Sequence, residues 1–181
     1  MSKNLRLSIL IISITLIIVI IAYRNINKNQ IIHNSIVKNN FTISGKAKII
    51  DGDSIMIKKY EIRLFDIDAP EYNQICLDNN DKEYNCGSKA TLYLKELTKN
   101  TKLQCRVSGR DYYDRYLATC FKNKININEK MISEGWAVIY NNPSEYYHLM
   151  LKAKLEQKGL WQGKFLEPKQ FRKQNRKKKI N

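Results

Sequence analysis

The hydrophobic pattern divides the chain near residue 40. Ahead of that point, Leu7 to Tyr23 is an apolar run made mostly of Ile, interrupted only by Ser8, Ser13 and Thr15 and free of charge. It has no polar face, so it does not suit a helix laid on a globular core. Its length falls between the apolar centre of a signal peptide and a full membrane span. A cleavage site needs small residues at the end of the run, and Ala22 is flanked by Ile20, Ile21, Tyr23 and Arg24. The reading is an uncleaved signal anchor over 7–23 behind a basic N-terminus, 1–6, with a cleaved signal peptide as the alternative. Residues 24–40 are polar, rich in Asn and without period, as a linker is.

From Phe41 the pattern becomes that of a folded domain. Phe41 to Ile50 and Ser54 to Phe65 alternate apolar and polar residues, as half-buried strands do, with Asp51-Gly52-Asp53 as a tight turn between them. Gly87 to Leu97 changes period and puts Ala90, Leu94 and Leu97 on one helical face. Lys102 to Val107 and Tyr116 to Phe121 return to alternation across a polar loop, Ser108 to Arg115. Asn126 to Glu129 fits a capping box, and Ile127 and Met131 continue a helical stripe. Pro143-Ser144 opens a last helix with Tyr147, Leu151 and Leu155 on one side and Gly159 placed to end it. The periodicity is lost from Lys164, which leaves the domain at 41–171 and a basic tail at 172–181. Strands, a helix, two strands and two helices make a mainly β, α+β domain. A helix between the third and fourth strands of a small barrel predicts a five-stranded OB-fold with about three helices.

Charge and cysteines narrow the setting. Lys plus Arg number 32 against 17 Asp plus Glu, a formal net charge of +15. A chain this basic attracts polyanions, either nucleic acid or an anionic membrane surface. Basic residues flank the apolar run on both sides, so the positive-inside rule does not orient it. The 4 cysteines are Cys76, Cys86, Cys105 and Cys120. An even count behind a secretory-type segment points to disulfides in an oxidising compartment, with the domain outside the cytoplasmic membrane, or secreted after cleavage. Zinc is the rival reading, but zinc sites usually show close C-x-x-C pairs and there are none.

The carboxylates are gathered in one place. Asp51, Asp53, Glu61, Asp66, Asp68 and Glu71 fall in a short stretch of an otherwise basic chain. Like charges held together oppose folding, and a hard cation coordinated by several of them removes the penalty. In a regular strand Asp66 and Asp68 share a face and Arg63 points the other way. Turn aspartates explain the same residues without a metal. Arg63 and Arg115 add rigid donor forks of the kind that meet charge on a phosphodiester transition state.

Taken in order, these residues resemble a known family. Asp51-Gly52-Asp53-Ser54, Ile62-Arg63-Leu64 and Ile67-Asp68-Ala69-Pro70-Glu71 look like the first signature of the staphylococcal nuclease (thermonuclease) family. Asp111 to Ala118 resembles its second, and Gly135-Trp136-Ala137 and Gly159-Leu160-Trp161 resemble two later landmarks. The resemblance spans about Phe41 to Phe171. It implies a calcium-dependent endonuclease that hydrolyses DNA and RNA with little sequence specificity. Asp53 and Asp68 would bind Ca2+ through their side chains and Ala69 through its carbonyl. Glu71 would be the base, Arg63 and Arg115 the phosphate clamp, and Tyr113 or Tyr140 a base-stacking residue. Ala69 stands where the type enzyme has Thr, which a backbone ligand tolerates. Asp114 replaces a usual Gly beside Arg115, and the stretch from Tyr72 to Cys86 carries two cysteines that the type enzyme lacks.

The disulfide pairing follows from hairpin register. Opposing Cys105 to Cys120 also opposes Val107 to Ala118, so apolar partners share a face, and directly opposed residues lie within disulfide reach. Cys76 and Cys86 pair by elimination. Other chemistries find no footing: His33 and His148 lie far apart in sequence, and neither a G-x-x-x-x-G-K nor a G-x-S-x-G motif occurs. No small-molecule cofactor is expected, and a monomer is the working expectation. The alternatives are a catalytically weak nucleic-acid-binding OB module at the membrane surface, and a lipid-binding protein that uses the basic tail.

Overall fold

The computed structural model describes residues 15–24 and 41–178. Residues 15–24 are helical and exposed. The first part of the apolar run and the linker 25–40 lie outside the described residues. Among the described residues no helix is long and apolar enough to cross a membrane.

Residues from Phe41 onward form a separate unit. Its frame is a five-stranded barrel of β1 (Thr42–Ile49), β2 (Ser54–Ile57), β3 (Tyr60–Leu64), β7 (Lys102–Arg110) and β8 (Tyr116–Lys122). The strand order is β3-β2-β1-β7-β8, and a parallel pairing of β3 with β8 closes the ring. Closure leaves no long unpaired edge. Strict alternation builds the interior: on β7, Leu103, Cys105 and Val107 are buried while Lys102, Gln104 and Arg106 are not. They meet Ile43, Ile55, Ile57, Ile62, Leu64 and Ala118 in the core.

Short elements decorate this frame. They are β4 (Ile67–Asp68), β5 (Ile75–Leu77), β6 (Glu83–Asn85), β9 (Ile125–Asn126) and β10 (Val138–Ile139). The helices are α1 (Cys86–Thr98), α2 (Ile127–Ser133), α3 (Tyr147–Leu155) and α4 (Pro168–Lys178), with a 3-10 turn at Gly159–Gln162. Helix α1 joins the third and fourth barrel strands, as the OB architecture requires. Asn126 caps α2 by accepting from the amides of Asn128 and Glu129. The disulfides join Cys105 to Cys120 across the β7–β8 ladder and Cys76 to Cys86 at the base of the β5–β6 hairpin. Such bonds belong to an extracytoplasmic compartment.

Within Ser54 to Phe65, Lys58 adopts a left-handed φ of 56° and turns the chain into a hairpin, which supplies the second and third barrel strands ahead of α1. Two sequence expectations need correction. The side of α3 bearing Tyr147, Leu151 and Leu155 faces outward, with Leu155 85% exposed. Ala153 is buried instead, and Leu149 and Met150 pack on the core beside buried Tyr146. Apolar residues lie on both sides of this helix, so periodicity alone could not choose. Finally, the stretch from Pro168 that shows no apolar period is helical, giving four α-helices among the described residues of the domain rather than about three.

Glycine sets the closest approach near Glu71. A Cβ at Gly87, in the first turn of α1, would lie 1.7 Å from the carbonyl oxygen of Glu71. The Glu71 carbonyl also accepts from the amide of Gln74, whose own carbonyl accepts from the amide of Gly87. Gly87→Ala should therefore shift backbone and cost about 1–3 kcal/mol, the usual penalty of overpacking. Urea denaturation measures it. Wild-type stability would mean that α1 slides aside freely.

Candidate active site

The acidic stretch resolves into separate jobs. Asp53 ends the turn before β2, Asp68 lies on β4, and Glu71 follows Ala69-Pro70 and opens the turn that the Gln74 amide closes on its carbonyl. Arg63 on β3 bonds to Asp53 and Asp68, at 2.8 Å each. Arg172 on α4 grips Asp68 at 2.9 and 2.8 Å and reaches Glu71 at 3.0 Å. The result is a continuous row, Asp53–Arg63–Asp68–Arg172–Glu71. The expectation that Arg63 points away from the acids fails because the strand is interrupted. Asp66 takes a φ of 62°, and the chain re-enters as β4 with Asp68 turned toward Arg63.

Asp66 has a structural job. Its carboxylate accepts from the Asn141 amide and side chain at 3.1 and 2.8 Å and from the Ser144 hydroxyl at 2.5 Å. It thereby ties the chain ahead of α3 to the barrel. Asp51 accepts from the amide of Asp53 and shapes the turn. Glu61 lines the cleft without joining the row.

Asp53 is 3% exposed. It accepts from Arg63, from the Ser54 hydroxyl and from the Ala69 amide. Burial nevertheless pushes its carboxyl up to about 7, more than the facing Arg63 offsets. With Asp53 ionised, three carboxylates against two guanidiniums leave the row with one negative charge in excess. Among the described residues no three acidic, His or Cys side chains converge as a ready metal cage, since the arginines lie between them. The donors still fit a hard cation: carboxylates of low exposure, undercompensated in charge, in a turn with free carbonyls nearby.

The row opens onto a cleft of about 850 Å³. Across it stands Arg115, held by Asp111 through its Nε at 2.8 Å and Nη2 at 2.7 Å. Burial raises the Asp111 carboxyl, but its bonds to Arg115 outweigh this and hold it below the usual range. Asp114 does not touch Arg115; it pairs with Arg110 at 2.5 Å. Its φ of 64° explains why this position suits Gly, and Asp is among the residues that tolerate it. Tyr113 lies 5.6 Å from the Arg115 guanidinium and Tyr140 lies 5.7 Å from that of Arg63, both exposed at the cleft.

Sequence reasoning brought together Asp53, Arg63, Asp68, Glu71 and Arg115 as one site. It missed Arg172, which sits in a basic run with no signal to single it out. It also missed Asp111, four residues before Arg115, whose spacing was a usable clue.

A closed small barrel carrying carboxylates and arginines at a cleft defines a class of phosphodiester-handling OB proteins. The staphylococcal nuclease homologue family matches residues 61–163, and the chain belongs to it. The chain is 35% identical over 123 residues to the succinoglycan biosynthesis protein ExoI of Rhizobium meliloti, covering 66% of this chain and 64% of that protein. It is 31% identical over 139 residues to an uncharacterized endonuclease of Haemophilus influenzae, covering 72% of each. A probable endonuclease, lcl3, of Botryotinia fuckeliana is 23% identical over 133 residues, with 49% of its length covered.

The division of labour among the acids is testable. Asp66→Ala should cost about 2–3 kcal/mol of stability through lost charge-assisted hydrogen bonds. Calcium affinity should not change. Denaturation and calorimetric titration on the same variant check both halves; a loss of calcium binding with stability intact would place Asp66 in the site.

Proposed function

We propose that this domain is a calcium-dependent endonuclease, hydrolysing phosphodiester bonds of DNA and RNA with little sequence preference. It would work on the outer side of the cytoplasmic membrane, attached through the N-terminal segment. The observation that carries this reading is the carboxylate–arginine row opening on a cleft whose far side holds a third anchored arginine, Arg115. Family membership and the two relatives named as endonucleases support it.

Asp53 and Asp68 would hold the ion through their side chains, with the Ala69 carbonyl. Bound there, calcium supplies Lewis acidity and a template for the phosphate. Glu71 positions a water and accepts its proton as the water oxygen bonds to phosphorus. The bond to the 5′ oxygen breaks, and that oxygen takes a proton from solvent, leaving a 5′-hydroxyl and a 3′-phosphate. Arg63 and Arg115 meet the charge that develops on the phosphoryl oxygens. Tyr113 offers a ring for a neighbouring base. For Glu71 to act as base, Arg172 must let go of it.

Plasmid cleavage tests the reading: calcium should support it and a chelator should stop it. Glu71→Gln should lower turnover about 10²–10⁴-fold, the range of a lost general base. End-labelled digests with 5′-phosphate termini would contradict the proposed bond cleavage. Arg172 engaging Glu71 also favours a second reading, a weakly catalytic nucleic-acid-binding barrel, for which wild type and Glu71→Gln would cleave alike.

Arg172 and the cation would compete for Asp68. Arg172→Gln should therefore tighten calcium binding about tenfold, or 1.4 kcal/mol. Calorimetric titration reads it; an unchanged affinity would mean that Arg172 and the ion do not share a ligand.

A further inference from the structure

Helix α4 carries Lys169, Arg172, Lys173, Arg176, Lys177 and Lys178 and no acidic residue. Lys169, Arg172 and Arg176 recur at three- and four-residue spacing, so they share one face. All three line the cleft. Without calcium, the bonds from Arg172 to Asp68 and Glu71 set that face along the cleft, with Lys169 and Arg176 exposed to solvent. The side chains of Lys169 and Arg176 make no ion pair or hydrogen bond among the described residues. Seven residues of helix separate them, about 10 Å along the axis. These unanswered cations flank the residue that grips the acidic row.

The opposite wall has a different chemistry. Arg115 stands there with Tyr113 beside it, and Tyr112 is 95% exposed. Cations along a groove with exposed rings at its lip suit one nucleic-acid strand, whose phosphates meet the cations and whose unstacked bases meet the rings. A duplex keeps its bases stacked and offers the rings nothing. We propose that the α4 face is a backbone-binding wall for a single nucleic-acid strand, with Lys169 and Arg176 taking phosphates on either side of the one to be cut. This rests on the nuclease reading above and adds to it a binding element outside the carboxylate–arginine row.

The test reads binding without cleavage. The full-length chain, kept in a non-ionic detergent with a chelator present, is titrated against fluorescein-labelled oligothymidylate at several salt concentrations. Three proteins are compared: wild type, the Lys169→Gln/Arg176→Gln double variant, and a Lys48→Gln/Lys95→Gln control at a separate surface depression. For single strands the slope of log K against log salt changes by about 0.7 per phosphate contact, so the α4 variant should lose about 1.4. The control should keep the wild-type slope. Equal slopes in wild type and α4 variant, with calcium-dependent cleavage by wild type intact, overturn the wall and leave the nuclease reading standing. A wild type that neither binds the oligonucleotide nor cleaves overturns both. If the α4 variant instead loses binding to phosphatidylserine vesicles at unchanged oligonucleotide slope, the face serves anionic lipid and the proposal is wrong.

Discussion

Asp53 and Asp68 sit almost out of water at the mouth of the barrel, and Arg63 bonds to both at 2.8 Å. Charges so placed are tolerated only when paired and hydrogen-bonded. The barrel meets that need through its strand order. Arg63 projects from β3, the strand whose parallel pairing with β8 closes the ring, and lies opposite Leu117 in that ladder. Asp53 comes from the turn entering β2, the hairpin partner of β3, with Ser54 opposite Arg63 in the ladder. Asp68 arrives on β4, which β10 pins through the pairing of Asp68 with Val138.

Outside the barrel, other elements adjust this row. The amide of Ala69 reaches back to Asp53, which fixes the turn leading to Glu71. Gly87 lets α1 press against the Glu71 backbone, and the Cys76–Cys86 bond anchors the residue just before Gly87. Glu71 is thus supported by a disulfide-stapled loop as well as by its own turn. The second disulfide, between β7 and β8, braces the hairpin whose loop carries Asp111 and Arg115. An oxidising compartment therefore stabilises both flanks of the cleft, which joins the location of the protein to the geometry of its site.

Much of this was legible from residues alone, for physical reasons. A closed barrel has an inside and an outside, so β1, β7 and β8 show alternation, and their register follows from keeping apolar partners together. Asp53, Arg63, Asp68, Glu71 and Arg115 could be singled out because they occur in a recognisable order. What stayed hidden depended on tertiary contact. The left-handed turn at Asp66 redirects β4 and so brings Arg63 and Asp68 face to face, which a regular strand forbids. Helix α3 has apolar residues on both sides, and only the burial of Tyr146 decides its orientation. Helix α4 has no apolar period because its inward contact is ionic: Arg172 enters the site by charge, and a hydrophobic pattern does not register charge.

In the proposed function Asp53 and Asp68 bind the cation beside Glu71, and Arg172, which holds Asp68 and Glu71, gives way when the ion arrives. A crystal structure of the calcium-loaded protein addresses this most directly. The account predicts calcium on the Asp53 and Asp68 carboxylates and the Ala69 carbonyl, with the Arg172 side chain withdrawn from Glu71. Calcium bound elsewhere, with Arg172 still bridging Asp68 and Glu71, would contradict it.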